Sequence, residues 1–147
     1  MKLAGIRVVD LSNFLPGPYL SLEMADHGAE VIKVEQPGEG DPGRHIGLAD
    51  GPHTVFFRNL NRGKKSVVLD LKTEAGRARL LQLADSADVF IESFRPGVAQ
   101  RLGMDAETLR ARAIRGSCTA RSARSARTGP ARRGRRTTWP WRRSAAH

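Results

Sequence analysis

A chain of 147 residues with 39% apolar side chains has room for one domain of ordinary soluble composition. Its single cysteine, Cys118, excludes an internal disulfide and suits a reducing cytoplasm, and no apolar run approaches the roughly 18–20 residues that cross a bilayer. The formal charge of +10 is confined to one end: residues 113–147 hold ten Arg and no Asp, Glu or Lys, so the front is neutral and offers nucleic acid no positive field.

In chain order, MKLAGIRVVDLSN reaches polar residues too soon for a secretory signal. IRVVDL (6–11) is β-branched and apolar and predicts a first strand, stopped by the breaker-rich loop SNFLPGP. A helix is expected from about Pro18 to His27, with Leu20, Met24 and Ala25 on one face and Gly28 ending it. EVIKVE (30–35) is the second strand candidate, followed by the open loop QPGEGDPGR. SVVLDL (66–71) is the third, and Thr73 is placed to cap the helix TEAGRARLLQLADSA, whose Leu80, Leu81, Ala84 and Ala87 form an apolar side. DVFIES (88–93) is the fourth strand, with the turn RPG and short helical pieces at Val98–Leu102 and Ala106–Ala111 after it. Apolar strands alternating with amphipathic helices predict an α/β fold, a Rossmann-like parallel sheet with flanking helices.

Such sheets bind ligands beyond the carboxyl ends of their strands. The residues expected there include Gln36, Arg44, Lys72 and Arg95, with Arg101 shortly after, a set that suits an anionic, phosphorylated ligand. Taken singly, each is an ordinary surface charge. The first loop lacks the G-x-G-x-x-G of a nicotinamide-dinucleotide site, although Glu35 holds the usual ribose-binding place. GEGDPGR could cradle phosphate through backbone N–H groups but lacks the Lys-Ser/Thr ending of a P-loop. His27, His45 and His53 have no metal-ligand spacing, so no metal site is expected. Asp10 and Asp70 suit capping or turn roles better than catalysis. RNLNRGKKS (58–66) reads as a solvated loop or, more sharply, as an anion contact.

Together, DLSNFLPGPYLSLEMADHGAEVIKVEQPGEGDPGR, RNLNRGKKSVVLDLKTEAGRARL and ADVFIESFRPGVAQRLGMDAETL resemble the start of the family III CoA-transferases, which include formyl-CoA and carnitine-CoA transferases and the related α-methylacyl-CoA racemases. The similarity covers about residues 3–112, and G-A-E-V-I-K-V-E, L-D-L-K and R-P-G-V-x-x-R-L-G are specific in combination. It implies a cytoplasmic enzyme with a Rossmann-like large domain in an interlocked homodimer, acting on acyl-CoA and a carboxylic acid, with neither a membrane nor a specific nucleic acid as partner. Carried over by position, the coenzyme A contacts fall at Leu15, Pro16 and Gln36, at Leu69, Asp70, Leu71 and Lys72, at Ser93, Phe94 and Arg95, and at Arg101. The family usually has arginine where this chain has Gln36, which weakens one phosphate or adenine contact. In the transferases an aspartate attacks the acyl-CoA thioester to give a mixed anhydride, whereas the racemases move the α proton with a histidine–aspartate pair. Both catalytic sets lie beyond the resemblance, so no catalytic residue is assigned within this chain.

Past residue 112 the family would continue with a buried strand similar to N-P-R-L-V-Y-C-S-I, where this chain reads AIRGSCTARS. The last 35 residues lack Leu, Val, Phe, Tyr and Met, and 22 of them are Arg, Ala, Gly or Pro, types whose codons open mainly with two G or C bases. With so little to bury, residues 113–147 are expected to be disordered. Pairing each codon's free third base with the first two bases of the next lets Ala113–Ser122 encode N-P-R-L-V-Y-C-S-I, which points to a one-base loss or two-base gain near codon 113. The competing reading is a basic nucleic-acid-binding arm, with Trp139 and Trp141 available to stack on bases.

Overall fold

The β-branched residues of the first forty positions pair as expected. In the computed structural model, which describes residues 1–112 and the backbone of a strand at Cys118–Arg121, β1 (Arg7–Asp10) lies parallel to β2 (Glu30–Glu35), with Val8 opposite Val31 and Val9 opposite Ile32. The chain then moves outward to β5 (Lys65–Val68) and returns across the sheet to β6 (Val89–Glu92), which pairs with the other side of β1. The result is four parallel strands ordered β5-β2-β1-β6, with Cys118–Arg121 (β7) added beside β6. Because strand order reverses at β1, the crevice beyond the ends of β1 and β6 is a topological switch point.

Both faces of the sheet are covered. On one, Val9, Leu11, Val34 and Phe90 pack with Leu80 and Ala84 of α3 (Glu74–Asp85), with Met104, and with Leu109 of α5 (Ala106–Ala111). On the other, Val8, Val31 and Ile91 pack against Met24 and Ala25 of α1 (Pro16–Asp26). This double burial explains why the strands read as nearly continuous apolar runs. Thr73 caps α3 as expected, its hydroxyl accepting the Gly76 N–H at 3.1 Å. The short α4 (Val98–Arg101) follows the turn after β6.

Four local expectations are revised. Leu20 is 41% exposed, whereas Ser21 and Leu22 are buried, so the packed face of α1 is turned toward Ser21. RNLNRGKKS is not simply a loop: Val55–Asn61 is a helix, α2, capped by the Thr54 hydroxyl and preceded by a two-stranded hairpin of β3 (Ala49–Asp50) and β4 (His53–Thr54). The third strand ends at Val68 rather than residue 71, where Asp70 accepts the Lys72 N–H and turns the chain. Within the tail expected to be disordered, Cys118–Arg121 forms β7, with Val89 opposite Cys118 and Glu92 opposite Arg121. Backbone pairing along an otherwise open strand edge does not depend on an apolar side chain. Residues 113–117 and 122–147, with the rest of that expectation, lie outside the described residues. Among the described residues no helix is long and apolar enough to cross a membrane.

Candidate functional site

A cavity of about 710 Å³ opens beyond the strand ends. Leu11 and Asn13 follow β1, Val34 and Glu35 close β2 with Gln36 and Pro37 just past it, the turn after β5 brings Leu69 to Lys72, α3 brings Arg77, and the segment after β6 brings Phe94, Arg101 and Leu102. Its apolar side is the upper edge of the core, and three cations, Lys72, Arg77 and Arg101, stand along its wall. The size and the mixture of apolar floor with few polar groups are those of a small-ligand site.

Of the residues singled out from sequence, the cavity gathers Gln36, Leu69, Asp70, Leu71, Lys72, Phe94 and Arg101. Leu15, Pro16, Ser93 and Arg95 are not among its lining residues. Leu15 and Pro16 are exposed where α1 begins, and Arg95 is exposed in the turn after β6. Ser93 adjoins the wall, its hydroxyl accepting the Asn13 N–H at 3.2 Å. Sequence reasoning missed Arg77, whose guanidinium donates to the Leu71 and Lys72 carbonyls at 3.2 and 2.9 Å and so stiffens the turn. Its position one helical turn after the Thr73 cap was the available signal.

Two expected ligand groups are committed elsewhere. Arg44 donates to both oxygens of Glu35, at 2.7 and 2.8 Å, and stacks over the Phe57 ring. Glu35 also accepts from the Ser66 hydroxyl at 2.6 Å and the Asp41 N–H at 2.9 Å. Burial pushes the Glu35 carboxyl up, but the bonds from Arg44, Ser66 and Asp41 outweigh it and hold it at about 2. The glycine-rich loop is therefore folded back onto the carboxylate of its own strand instead of being open to phosphate. Gly40, at φ +68°, passes so close that a β-carbon there would stand 2.7 Å from the Glu35 Oε2.

Joined to this group through Asp41, a second polar cluster lies on the α1 face of the sheet. Asp10 is fully buried and accepts from the Ser12 N–H at 2.8 Å, from the Ser12 hydroxyl, and from the Ser21 hydroxyl at 2.5 Å. The Lys64 side chain, 1% exposed, reaches Asp10 Oδ2 at 3.4 Å, and the buried Lys33 bonds Asp41 at 2.7 Å. Asp10 thus has the turn role expected of it, whereas the Lys64 side chain is buried against that carboxylate instead of solvated. Among the described residues no cluster of three or more His, Cys, Asp or Glu could hold a metal ion.

A parallel α/β sheet flanked by helices, with a cation-walled cavity beyond its strand ends, defines the class by fold: a domain of Rossmann-like architecture. The family III CoA-transferase model matches residues 3–115, and the chain belongs to that family. It is 46% identical over 105 residues to the acetyl-CoA:oxalate CoA-transferase of Acetobacter aceti, covering 71% of this chain and 27% of that protein. It is also 46% identical over 113 residues to a probable fatty acyl-CoA transferase of Mycobacterium tuberculosis, Rv3272, covering 75% and 28%. A crystal structure of Rv3272 superposes with a TM-score of 0.72 at 44% identity, covering 80% of this chain and 32% of that one. A CAIB/BAIF family protein from Brucella suis gives a TM-score of 0.70 at 40% identity, covering 75% and 30%. The chain therefore spans about a quarter of the length of the curated relatives it matches.

Proposed function

We propose that residues 1–112 are the coenzyme A-binding part of a cytoplasmic enzyme that transfers CoA from an acyl-CoA to a carboxylic acid, and that the enzyme works as a homodimer. The observation that carries this reading is the cavity at the switch point. Its cations Lys72 and Arg101 suit the phosphates of a bisphosphorylated nucleotide, and Leu69, Leu71, Phe94 and Leu102 offer apolar surface to adenine or the pantetheine arm. Gln36 stands in the same wall as a neutral hydrogen-bonding group. Leu15, Pro16, Ser93 and Arg95, on the flanking turns, are assigned to the outer parts of the ligand. The reacting carboxylate belongs to parts of the enzyme that the matched region does not include, so the chain supplies binding and positioning. Under the same reading residues 113–147 come from a shifted reading frame, in keeping with a family match that ends at residue 115.

Calorimetric titration of the full chain with coenzyme A tests the assignment. Binding is expected, and Lys72→Ala and Arg101→Ala should each weaken it about tenfold through loss of a charge-assisted bond. Absence of binding by folded protein overturns the reading. No acyl-CoA turnover is expected in the presence of a carboxylic acid acceptor. The nucleotide sequence around codon 113 tests the tail, since another frame should continue the enzyme.

A further inference from the structure

Outside the cavity, Lys33 and Lys64 end on buried carboxylates, Arg7 and Lys65 share Glu30, Arg62 meets Asp26 and Arg112 meets Asp85. Arg44 shows what a guanidinium does here when a carboxylate is within reach: its Nε and Nη2 donate to the two Glu35 oxygens at 2.7 and 2.8 Å, a side-on fork. Arg77 carries the same group into the wall of the cavity and has no ion-pair partner among the described residues. It is nevertheless held. Nη1 donates to Leu71 O at 3.2 Å and to Lys72 O at 2.9 Å, which engages both of its hydrogens and fixes the plane of the guanidinium. The turn it grips is itself braced: the Thr73 N–H and hydroxyl donate to Asp70 O at 3.1 and 2.8 Å, and the Lys72 N–H donates to Asp70 Oδ1 at 2.9 Å. What Arg77 keeps for another partner is its Nε–Nη2 edge, the edge with which Arg44 takes Glu35.

We infer that Arg77 is a specificity-determining residue of this cavity and that its Nε–Nη2 edge binds a phosphate group of the nucleotide side-on. The inference rests on the coenzyme A reading proposed above, which uses Lys72 and Arg101 and leaves Arg77 without a role toward the ligand. Charge supports it. The wall sets three cations against one available carboxylate, Asp70, because Glu35 is already paired with Arg44. Geometry supports it as well: two oxygens on one phosphorus match a planar two-donor fork, whereas the Lys72 ammonium is a point charge on a flexible stem. A guanidinium fixed in advance loses little freedom on binding, so more of the bond appears as affinity. Coenzyme A presents this chemistry in its pyrophosphate and in its ribose phosphate, and dephospho-coenzyme A retains only the first.

The test is calorimetric titration of the full chain with coenzyme A and with dephospho-coenzyme A, in about 150 mM salt to screen the long-range pull of the basic tail on anions. Amide hydrogen exchange at residues 70–76 reads the turn in the same samples. Lysine keeps the charge and can still donate to the Leu71 and Lys72 carbonyls, but it has no fork. Arg77→Lys should therefore leave exchange at residues 70–76 unchanged while coenzyme A affinity falls about tenfold, and Arg77→Ala should lower that affinity about thirtyfold. If the fork holds the ribose phosphate, dephospho-coenzyme A binds wild type and Arg77→Lys alike; if it holds the pyrophosphate, both ligands weaken by the same factor. Full coenzyme A affinity in Arg77→Lys overturns the inference and leaves Arg77 as a brace of the turn. A loss of affinity confined to variants whose turn exchanges faster overturns it too. Folded wild-type protein that binds no coenzyme A overturns the underlying reading, whereas binding that neither substitution changes overturns this inference alone.

Discussion

Glu35 and Arg44 each had a ligand role open to them as single residues, one at a ribose-binding place and one among the strand-end cations. Folded, they are partners, with a nearly buried carboxylate receiving two guanidinium bonds. Removing the cation strands that carboxylate, so Arg44→Met should cost roughly 3 kcal/mol at pH 7, measured by urea unfolding. The same pair governs acid behaviour. Glu35 is depressed from 4.5 to about 2, so its stabilisation is fully present above pH 4.5 and is lost as pH falls toward 2. Stability in Arg44→Met should accordingly fall less steeply over that window. Lys64 has the opposite effect on global stability. Lowered from 10.5 to about 8, it imposes a penalty that is present in full below pH 8 and is relieved as pH rises toward 10.5.

Among the elements, α3 was the most legible because its signals agree: a Thr cap, Glu74 in the first turn, and Leu80 and Ala84 one turn apart on the core side. Its start also shapes the cavity. The Thr73 hydroxyl donates to Asp70 O at 2.8 Å while accepting from Gly76, and Gly76 passes so close to the Asp70 carbonyl that a β-carbon would collide with it. Thr73→Ala should lower stability by about 1 kcal/mol in thermal or urea unfolding, and should weaken coenzyme A binding through the displaced Asp70–Lys72 turn. α2 was illegible for a physical reason. Asn, Arg and Lys around residue 60 have no amphipathic stripe beyond Phe57 and Leu60, and the element is held by the Thr54 cap and by the buried end of Lys64. Leu20 misled for a related reason: apolar spacing marks a face, but a buried carboxylate on β1 turned Ser21 inward instead.

Across the whole molecule, the excess charge and the cavity are separable. The ten arginines of residues 113–147 lie outside the family match apart from Arg115, so adhesion to DNA and binding of coenzyme A should respond differently to salt. Retention on mixed-sequence duplex DNA is expected at 50 mM salt and should fall by roughly a hundredfold or more by 200 mM, whereas coenzyme A binding should fall far less. Deleting residues 122–147 should abolish the first and spare the second, which electrophoretic mobility and calorimetry read directly. By itself the sequence determined the parallel α/β class, the approximate position of four strands, the residues at their carboxyl ends and the extent of the family likeness, because these follow from local periodicity, breakers and short motifs. Only the tertiary structure decided which charges remain available to a ligand. Whether Arg44, Glu35, Lys33 and Lys64 face solvent or pair with one another or with Asp41 and Asp10 depends on pairing between residues 8 to 54 apart, and no local pattern encodes which buried cation meets which carboxylate.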